Sequence, residues 1–366
     1  MLSRLQIRAP SRLSQISRQL SRQTRTMAGY NKTKFQLNTG DEIPAIGFGT
    51  WQVGSSQYLP PTVKILPDHM LIRDPTKQDK DAQEDAVYEA LKAGYRHIDT
   101  ARIYGTEPGV AKGISKSGVP RSDIFITTKL WNNSHHPDDV EAACNASLKD
   151  LQTDYLDLYL MHWPSPFARG DKLMPQKDGE IQTGDSDYVD TYMAMEKLVK
   201  SGKCKAIGVS NFSRAELERL LRETSIVPAA HQIELHPYLQ QTDFVEFHKS
   251  KGIHVTQYSP FGNANPIYDK GENIGKLIDD PVLSDVGRKY GKNGAQVALA
   301  WGIAKGHSVI PKSKTPARIQ ANFEGDFKLD VEDVKKIDAL DKKLRFNDPS
   351  QRFGWNFYAD LDGKQG

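Results

Sequence analysis

The chain has 366 residues, of which 38% are hydrophobic and 26% charged, with a formal net charge of +3. This balance supports a large apolar core in a soluble body, because no apolar run approaches the roughly 18 residues of a transmembrane helix. Two cysteines, Cys144 and Cys204, are too few for a disulfide framework and have no CxxC spacing, so a reducing compartment is expected.

The first 26 residues carry Arg4, Arg8, Arg12, Arg18, Arg22 and Arg25, several serines and no acidic residue. Subtracting these six charges from the formal +3 leaves −3, so the positive balance belongs to the leader and nucleic-acid binding is not supported. An arginine-rich, serine-rich, acid-free amphipathic start fits a mitochondrial transit peptide. The rival is an extension ahead of a cytoplasmic protein that starts at Met27. Both readings stay open, with residues 1–30 a leader or disordered extension and 31–366 a single domain. A fluorescent reporter fused to residues 1–30 separates them: mitochondrial signal supports the first and diffuse signal the second.

Past the leader, "KFQLNTGDEIPAIGFGTW" alternates around a Thr-Gly-Asp turn and reads as a β-hairpin running into a first apolar strand, Ala45 to Trp51. Short β-branched runs follow at 95–100, 124–130, 155–163, 204–211, 229–235, 254–260 and 308–313. Helical patterns such as "DAQEDAVYEALKAG" and "SRAELERLLRET" lie between them. Strands alternating with helices require parallel pairing and right-handed crossovers, and eight such units close into a barrel. The expected fold is therefore α/β, a (β/α)8 TIM barrel with an N-terminal β-hairpin and a long C-terminal loop. A doubly wound open sheet competes, but no GxGxxG follows an early strand. One stretch, residues 53–78, is too long for a loop inside a compact βα unit and is expected as an atypical insertion.

In such a barrel the carboxyl ends of the strands converge on one mouth. Asp99 closes the second strand with Tyr104 five residues later, Lys129 closes "IFITTKL", and His162 closes "YLDLYLMHW". Each alone has an ordinary reading, as helix cap, loop aromatic, solvated charge or core histidine. At matching strand ends they form an acid–base site. A free tyrosine titrates near about pH 10, and a nearby ammonium favours its phenolate. Lys129 supplies that charge, Asp99 its counter-ion, and His162 a hydrogen bond that orients a carbonyl oxygen.

That site protonates an alkoxide but supplies no electrons, so a hydride donor is required. Ser210 and Asn211 in "GVSNF" and Gln232 in "HQIELHP" can bind a nicotinamide carboxamide, and Tyr258 in "QYSPFG" can stack on its ring. Lys312, Ser313 and Arg318 cluster at a helix start in "IPKSKTPARIQANF" and suit a phosphate monoester, which implies NADPH over NADH.

The stretches "GFGTW", "GYRHIDTARIYGTE", "LYLMHWP", "GVSNF", "HQIELHPY", "YSPFG" and "IPKSKTPARIQANF" occur in this order from about residue 35 to 345, and in them the chain resembles the aldo-keto reductases. The resemblance implies a catalytic tetrad of Asp99, Tyr104, Lys129 and His162, with Tyr104 the proton donor. It also implies an NADP(H) site at Ser210, Asn211, Gln232, Tyr258, Lys312, Ser313, Arg318 and Asn322. A monomer or weak dimer is expected, acting on a small carbonyl or alcohol substrate. The likeness to fungal-type reductases of glyceraldehyde, glycerol and pentoses suggests small hydroxy-aldehydes. Two departures from the family pattern stand out: "GTE" at 105–107 where relatives often carry "GNE", and Ala321 where many relatives place a glutamate that contacts adenine; Lys314 adds positive charge beside the proposed phosphate site, in favour of NADPH.

Trp51, Trp131 and Trp163 follow strand ends and are expected to wall the substrate pocket, with Trp355 and Phe357 of the C-terminal segment folded over it. The polar run at 164–187 is expected as a flexible lid. Two rivals remain. One is a non-catalytic NADP-binding regulatory protein of the same fold. The other is a barrel hydrolase using Asp99 and Glu234 as a carboxylate pair, which leaves Lys129 and the basic cluster without roles. His135 and His136 are adjacent and lack a ligand set, so no metal is expected.

Overall fold

Eight short parallel strands form one sheet: Phe48–Gly49, His97–Asp99, Phe125–Leu130, Leu156–Met161, Cys204–Ser210, Ala230–Glu234, His254–Tyr258 and Ser308–Val309. The computed structural model describes residues 32–51, 75–264 and 274–364, except the side chains of 75–81 and 264. The leader at 1–30 and residues 53–74 of the expected insertion lie outside the described residues. Residues 75–78, the end of that expected insertion, instead open the helix Pro75–Ala93, for which a proline is suited because the first helical N–H needs no partner.

Each strand pairs with its sequence neighbour, and the last returns to the first. Val309 N–H donates to Ala45 O at 2.8 Å, Gly47 N–H to Val309 O at 2.9 Å and Gly49 N–H to Pro311 O at 3.0 Å. These bonds close the sheet into a barrel and remove its edges. Helices follow the strands around the outside, with Pro281–Tyr290 and Val331–Asp338 added beyond the repeating pattern.

Side-chain alternation sorts each strand into an outer and an inner row. Ile98, Ile126, Tyr159, Ile207, Ile233 and Val255 face outward into the main core against the helices. Phe125, Leu158, Leu160, Ala206 and Ala230 face inward at the lower end, where Leu37 and Ile43 of the hairpin Lys34–Gln36/Glu42–Pro44 plug the barrel. Continuing each inner row upward by twos delivers Lys129, His162, Ser210, Gln232 and Glu234 to the upper mouth. Gly208 belongs to such a row because a Cβ there would lie 2.2 Å from Ala230 O.

Burial also removes many histidines from water. Desolvation lowers His97, His135, His254 and His307 to about 3 and His248 to about 4, and holds His162 and His231 well below the ordinary value. These rings are neutral when folded but take a proton near about pH 6.5 when unfolded. The unfolded state then binds more protons, so stability is present above that pH and lost below it. Each such histidine adds about 1.4 kcal/mol per pH unit to the loss. Urea unfolding at pH 7.5, 6.5 and 5.5 should show a steep fall across the last interval; a flat profile would contradict the buried neutral assignment.

Candidate active site

At the upper mouth the second and third strands bring a charge pair together. Lys129 Nζ donates to Asp99 Oδ1 at 2.7 Å and to Thr100 O at 2.9 Å. The lysine side chain is 0% exposed and the aspartate 3%. Burial pushes the ammonium below its ordinary pKa, and Asp99 with Glu107 opposes that shift. The second carboxylate oxygen of Asp99 accepts from Gln232 Nε2 at 2.7 Å, so a residue from the sixth strand reaches across the barrel to complete the pair.

Tyr104 ends a short 3-10 turn, Arg102–Tyr104, closed by Gly105 in the left-handed region at φ 64°. That turn sets the phenol ring beside the pair, with Lys129 Nζ 5.5 Å from the ring centroid. The His162 ring meets Tyr104 edge-on at 5.8 Å, Trp131 at 5.1 Å, and stacks on Trp163 at 6.1 Å. Burial, then the charge of Lys129, keeps His162 neutral, so its ring offers one N–H and one bare nitrogen. The four residues singled out at strand ends are thus gathered in one place.

Asp99, Tyr104 and His162, with Lys129 buried behind them, border a cavity of about 480 Å³ whose lining also includes Trp51, Trp131, Trp163, Ser210, Asn211, Gln232, Tyr258 and Lys312. A second cavity of about 610 Å³ shares Ser259, Ile310 and Lys312 with it and is lined by Ser313, Lys314, Arg318, Ala321 and Asn322. Lys312 has its pKa lowered by burial and by Lys314 and Arg318 beside it. An anion placed there would relieve that repulsion. Among the described residues no group of three His, Cys, Asp or Glu side chains is placed to hold a metal, and no helix is long and apolar enough to cross a membrane.

Asn211 occupies the left-handed region at φ 63°. Its Nδ2 donates to His162 O and Ser210 Oγ, each at 3.0 Å, while its Oδ1 accepts from Tyr258 OH at 2.8 Å and Tyr358 OH at 3.0 Å. The amide is fully engaged within the chain. Ser210 Oγ donates to Gln232 O at 2.9 Å.

The C-terminal segment departs from expectation. Trp355 is not in the cavity: its Nε1 donates to Glu216 Oε1 at 2.8 Å on the neighbouring helix Arg214–Glu223. Phe357 is fully buried behind Trp163 at 4.8 Å. The residues that do reach the cavity are Phe346, Asn347, Asp348, Pro349, Arg352 and Phe353, which periodicity could not single out in an irregular segment. The cause is local: the turn Ser350–Phe353 presents Arg352 and Phe353, and Gly354 at φ 63° swings the following tryptophan away.

Residues 164–187 are not a structureless loop. They hold a hairpin, Gln176–Lys177 with Glu180–Ile181, whose two-residue turn has φ 53° at Asp178 and 87° at Gly179. The Asp-Gly pair was the legible signal. Trp131 Nε1 donates to Leu173 O at 2.5 Å and Asn133 Nδ2 to Gly170 O at 2.7 Å, which fastens this segment to the wall, and Ile103 and Met174 join the lining.

A sequence model described as the aldo/keto reductase family matches residues 45–342. An uncharacterised oxidoreductase of Schizosaccharomyces pombe is 44% identical over 316 residues, covering 86% of this chain and 90% of that one. Aldo-keto reductase family 1 member A1 of Xenopus tropicalis is 43% identical over 317 residues, covering 85% and 89%. The structure of the aldose reductase from Schistosoma japonicum superposes with a TM-score of 0.75 at 33% identity, covering 89% of this chain and 98% of that one.

Replacing Asp99 by Asn should strand the Lys129 charge in the barrel. Urea unfolding at pH 7 should show a loss of about 3–5 kcal/mol; a loss below about 1 kcal/mol would mean the ammonium finds its stabilisation elsewhere.

Proposed function

This chain belongs to the aldo/keto reductase family, and we propose that it interconverts aldehydes or ketones and alcohols, with NADP(H) as hydride carrier and Tyr104 as proton donor, from a single domain over 31–366. The observation that carries this reading is the buried Lys129–Asp99 pair set against the Tyr104 ring, at one end of two adjoining cavities whose other end is lined by cations.

The residues present fit the dinucleotide. Gln232 and Ser210 offer an amide and a hydroxyl oxygen for a carboxamide, with Asn211 holding Ser210 in place through its own engaged amide, Tyr258 offers an aromatic face, and Lys312, Ser313, Arg318 and Asn322 the polar and cationic partners for a 2′-phosphate and adenosine. When bound, the nicotinamide supplies the hydride. The chain's own groups do the rest. Neutral His162 donates a hydrogen bond to the substrate carbonyl oxygen and holds it near Tyr104. Tyr104 passes its proton to that oxygen as negative charge develops there, and Lys129 stabilises the phenolate left behind. Asp99 keeps the ammonium in place, and Trp51, Trp131 and Trp163 exclude water from the reacting centre. Small hydroxy-aldehydes and aldoses suit a cavity of this size that combines tryptophan walls with Asn347, Asp348 and Arg352.

Tyr104→Phe should lower kcat/KM for carbonyl reduction by about 10²- to 10⁴-fold while the Kd for NADPH, read by fluorescence quenching, stays within about twofold. Equal loss of NADPH binding would remove Tyr104 from the proton-donor role. Lys312→Ala should weaken NADPH by about tenfold or more and NADH far less. The same loss for both cofactors would contradict the phosphate assignment. The rival of a non-catalytic NADP-binding protein predicts tight NADPH binding without oxidation by any aldehyde in a panel.

A further inference from the structure

Glu234 ends the sixth strand with 0% exposure and is not among the side chains that line the cavity. A carboxylate buried so deeply is costly unless its oxygens are fully paired. Here they are. Oε1 accepts from His236 Nε2 at 3.0 Å and from the backbone N–H of Phe346 at 2.8 Å, and Oε2 accepts from the backbone N–H of Asn347 at 2.9 Å. Two of the three donors therefore come from the C-terminal segment, at the point where it turns in over the cavity.

The same segment is tied further along its length to the same side of the barrel. Arg345, 1% exposed, donates to Gln241 Oε1 at 2.9 Å, and Gln241 Nε2 donates to Glu234 O at 2.9 Å. The Arg345 guanidinium lies 3.9 Å from the Tyr358 ring, whose hydroxyl reaches Asn211. Asp360 accepts from the Arg214 and Ala215 N–H groups at 3.1 and 2.8 Å. Glu234 holds the backbone of two residues that themselves line the cavity, Phe346 and Asn347, and the Asn347 side chain adds a bond from its Nδ2 to Tyr258 OH at 3.0 Å. Burial by itself would push the Glu234 carboxyl up, yet His236, Arg345 and the Phe346 N–H hold it below its ordinary pKa, so it stays an acceptor on both oxygens.

We propose that Glu234 is a positioning residue for substrate: its carboxylate fixes the first turn of the C-terminal segment over the cavity and so sets affinity for the carbonyl compound, without entering hydride or proton transfer. A hydrolytic carboxylate pair with Asp99 is not available to it, because both of its oxygens are spent on backbone and histidine donors. The proposal rests on the carbonyl-reductase reading of the cavity.

Glu234→Gln keeps the shape but turns one acceptor into a donor that faces a backbone N–H. Steady-state kinetics with NADPH and an aromatic aldehyde should show KM raised about tenfold, the loss expected for one charge-assisted hydrogen bond, with kcat within about threefold and the NADPH Kd within about twofold. Hydrogen exchange at the Phe346 and Asn347 amides should quicken about tenfold in the same variant. Unchanged KM and exchange would overturn the proposal, as would a fall in kcat at constant KM. If Glu234→Gln does not fold, Asn347→Pro, which removes one of the two N–H donors, is compared with Asn347→Ala, which retains it. A KM at least about fivefold higher for the proline variant supports the tie, and equal values refute it. A wild-type chain that oxidises no NADPH with any aldehyde would sink the reduction reading instead. In that case the exchange rates of the two amides still decide whether Glu234 holds the segment.

Discussion

An ammonium group inside a closed barrel has no water to turn to, and that constraint organises the mouth of this protein. Lys129 is held by Asp99 from the adjoining strand and by the Thr100 carbonyl, and Gln232 from the opposite side of the ring satisfies the second aspartate oxygen. The pair thus binds the second, third and sixth strands together at the level where their inner rows end. Tyr104 and His162 take positions around it that leave the phenol against a positive field and the imidazole uncharged. A surface pair of the same geometry would be screened and would exert little pull on a neighbouring phenol.

The C-terminal segment follows from a second electrostatic need. Glu234 and the helix Arg214–Glu223 both present groups that require partners, and residues 345–362 provide them: backbone N–H groups to the first, and the Asp360 carboxylate to the N–H groups at the start of the second. The wall of the cavity is thereby attached to the strand ends that also carry Asn211 and Tyr258. Asn211 joins the two regions directly, since its carbonyl oxygen accepts from one tyrosine of the barrel and one of the segment. The proposed substrate side and the proposed cofactor side therefore share a hydrogen-bonded frame.

Legibility differed from one residue to the next for physical reasons. The barrel strands were readable because buried parallel strands are nearly continuous apolar runs, and the cluster at the mouth because several ionisable residues fall at matching strand ends, although each alone has an ordinary reading. Lys129 and His162 are of this kind. The Asp178-Gly179 turn was equally readable, yet the length and polarity of its surroundings suggested a loose lid. Trp355 was placed on the wrong side because an irregular segment has no period: a single left-handed glycine, Gly354, reverses the direction of the chain and exchanges Trp355 for Phe353 at the cavity.

By itself the sequence determined the order of the barrel strands, their parallel pairing, and which side chains stand at the strand ends, because all of these depend on local periodicity and on short-range backbone chemistry. Tertiary structure alone decided that Gln232 supports Asp99, that Glu234 spends both oxygens on a segment more than a hundred residues away, and that Phe346 rather than Trp355 faces the cavity. Those outcomes depend on pairing buried polar groups across long sequence separations, and no local pattern records which donor a buried acceptor will meet.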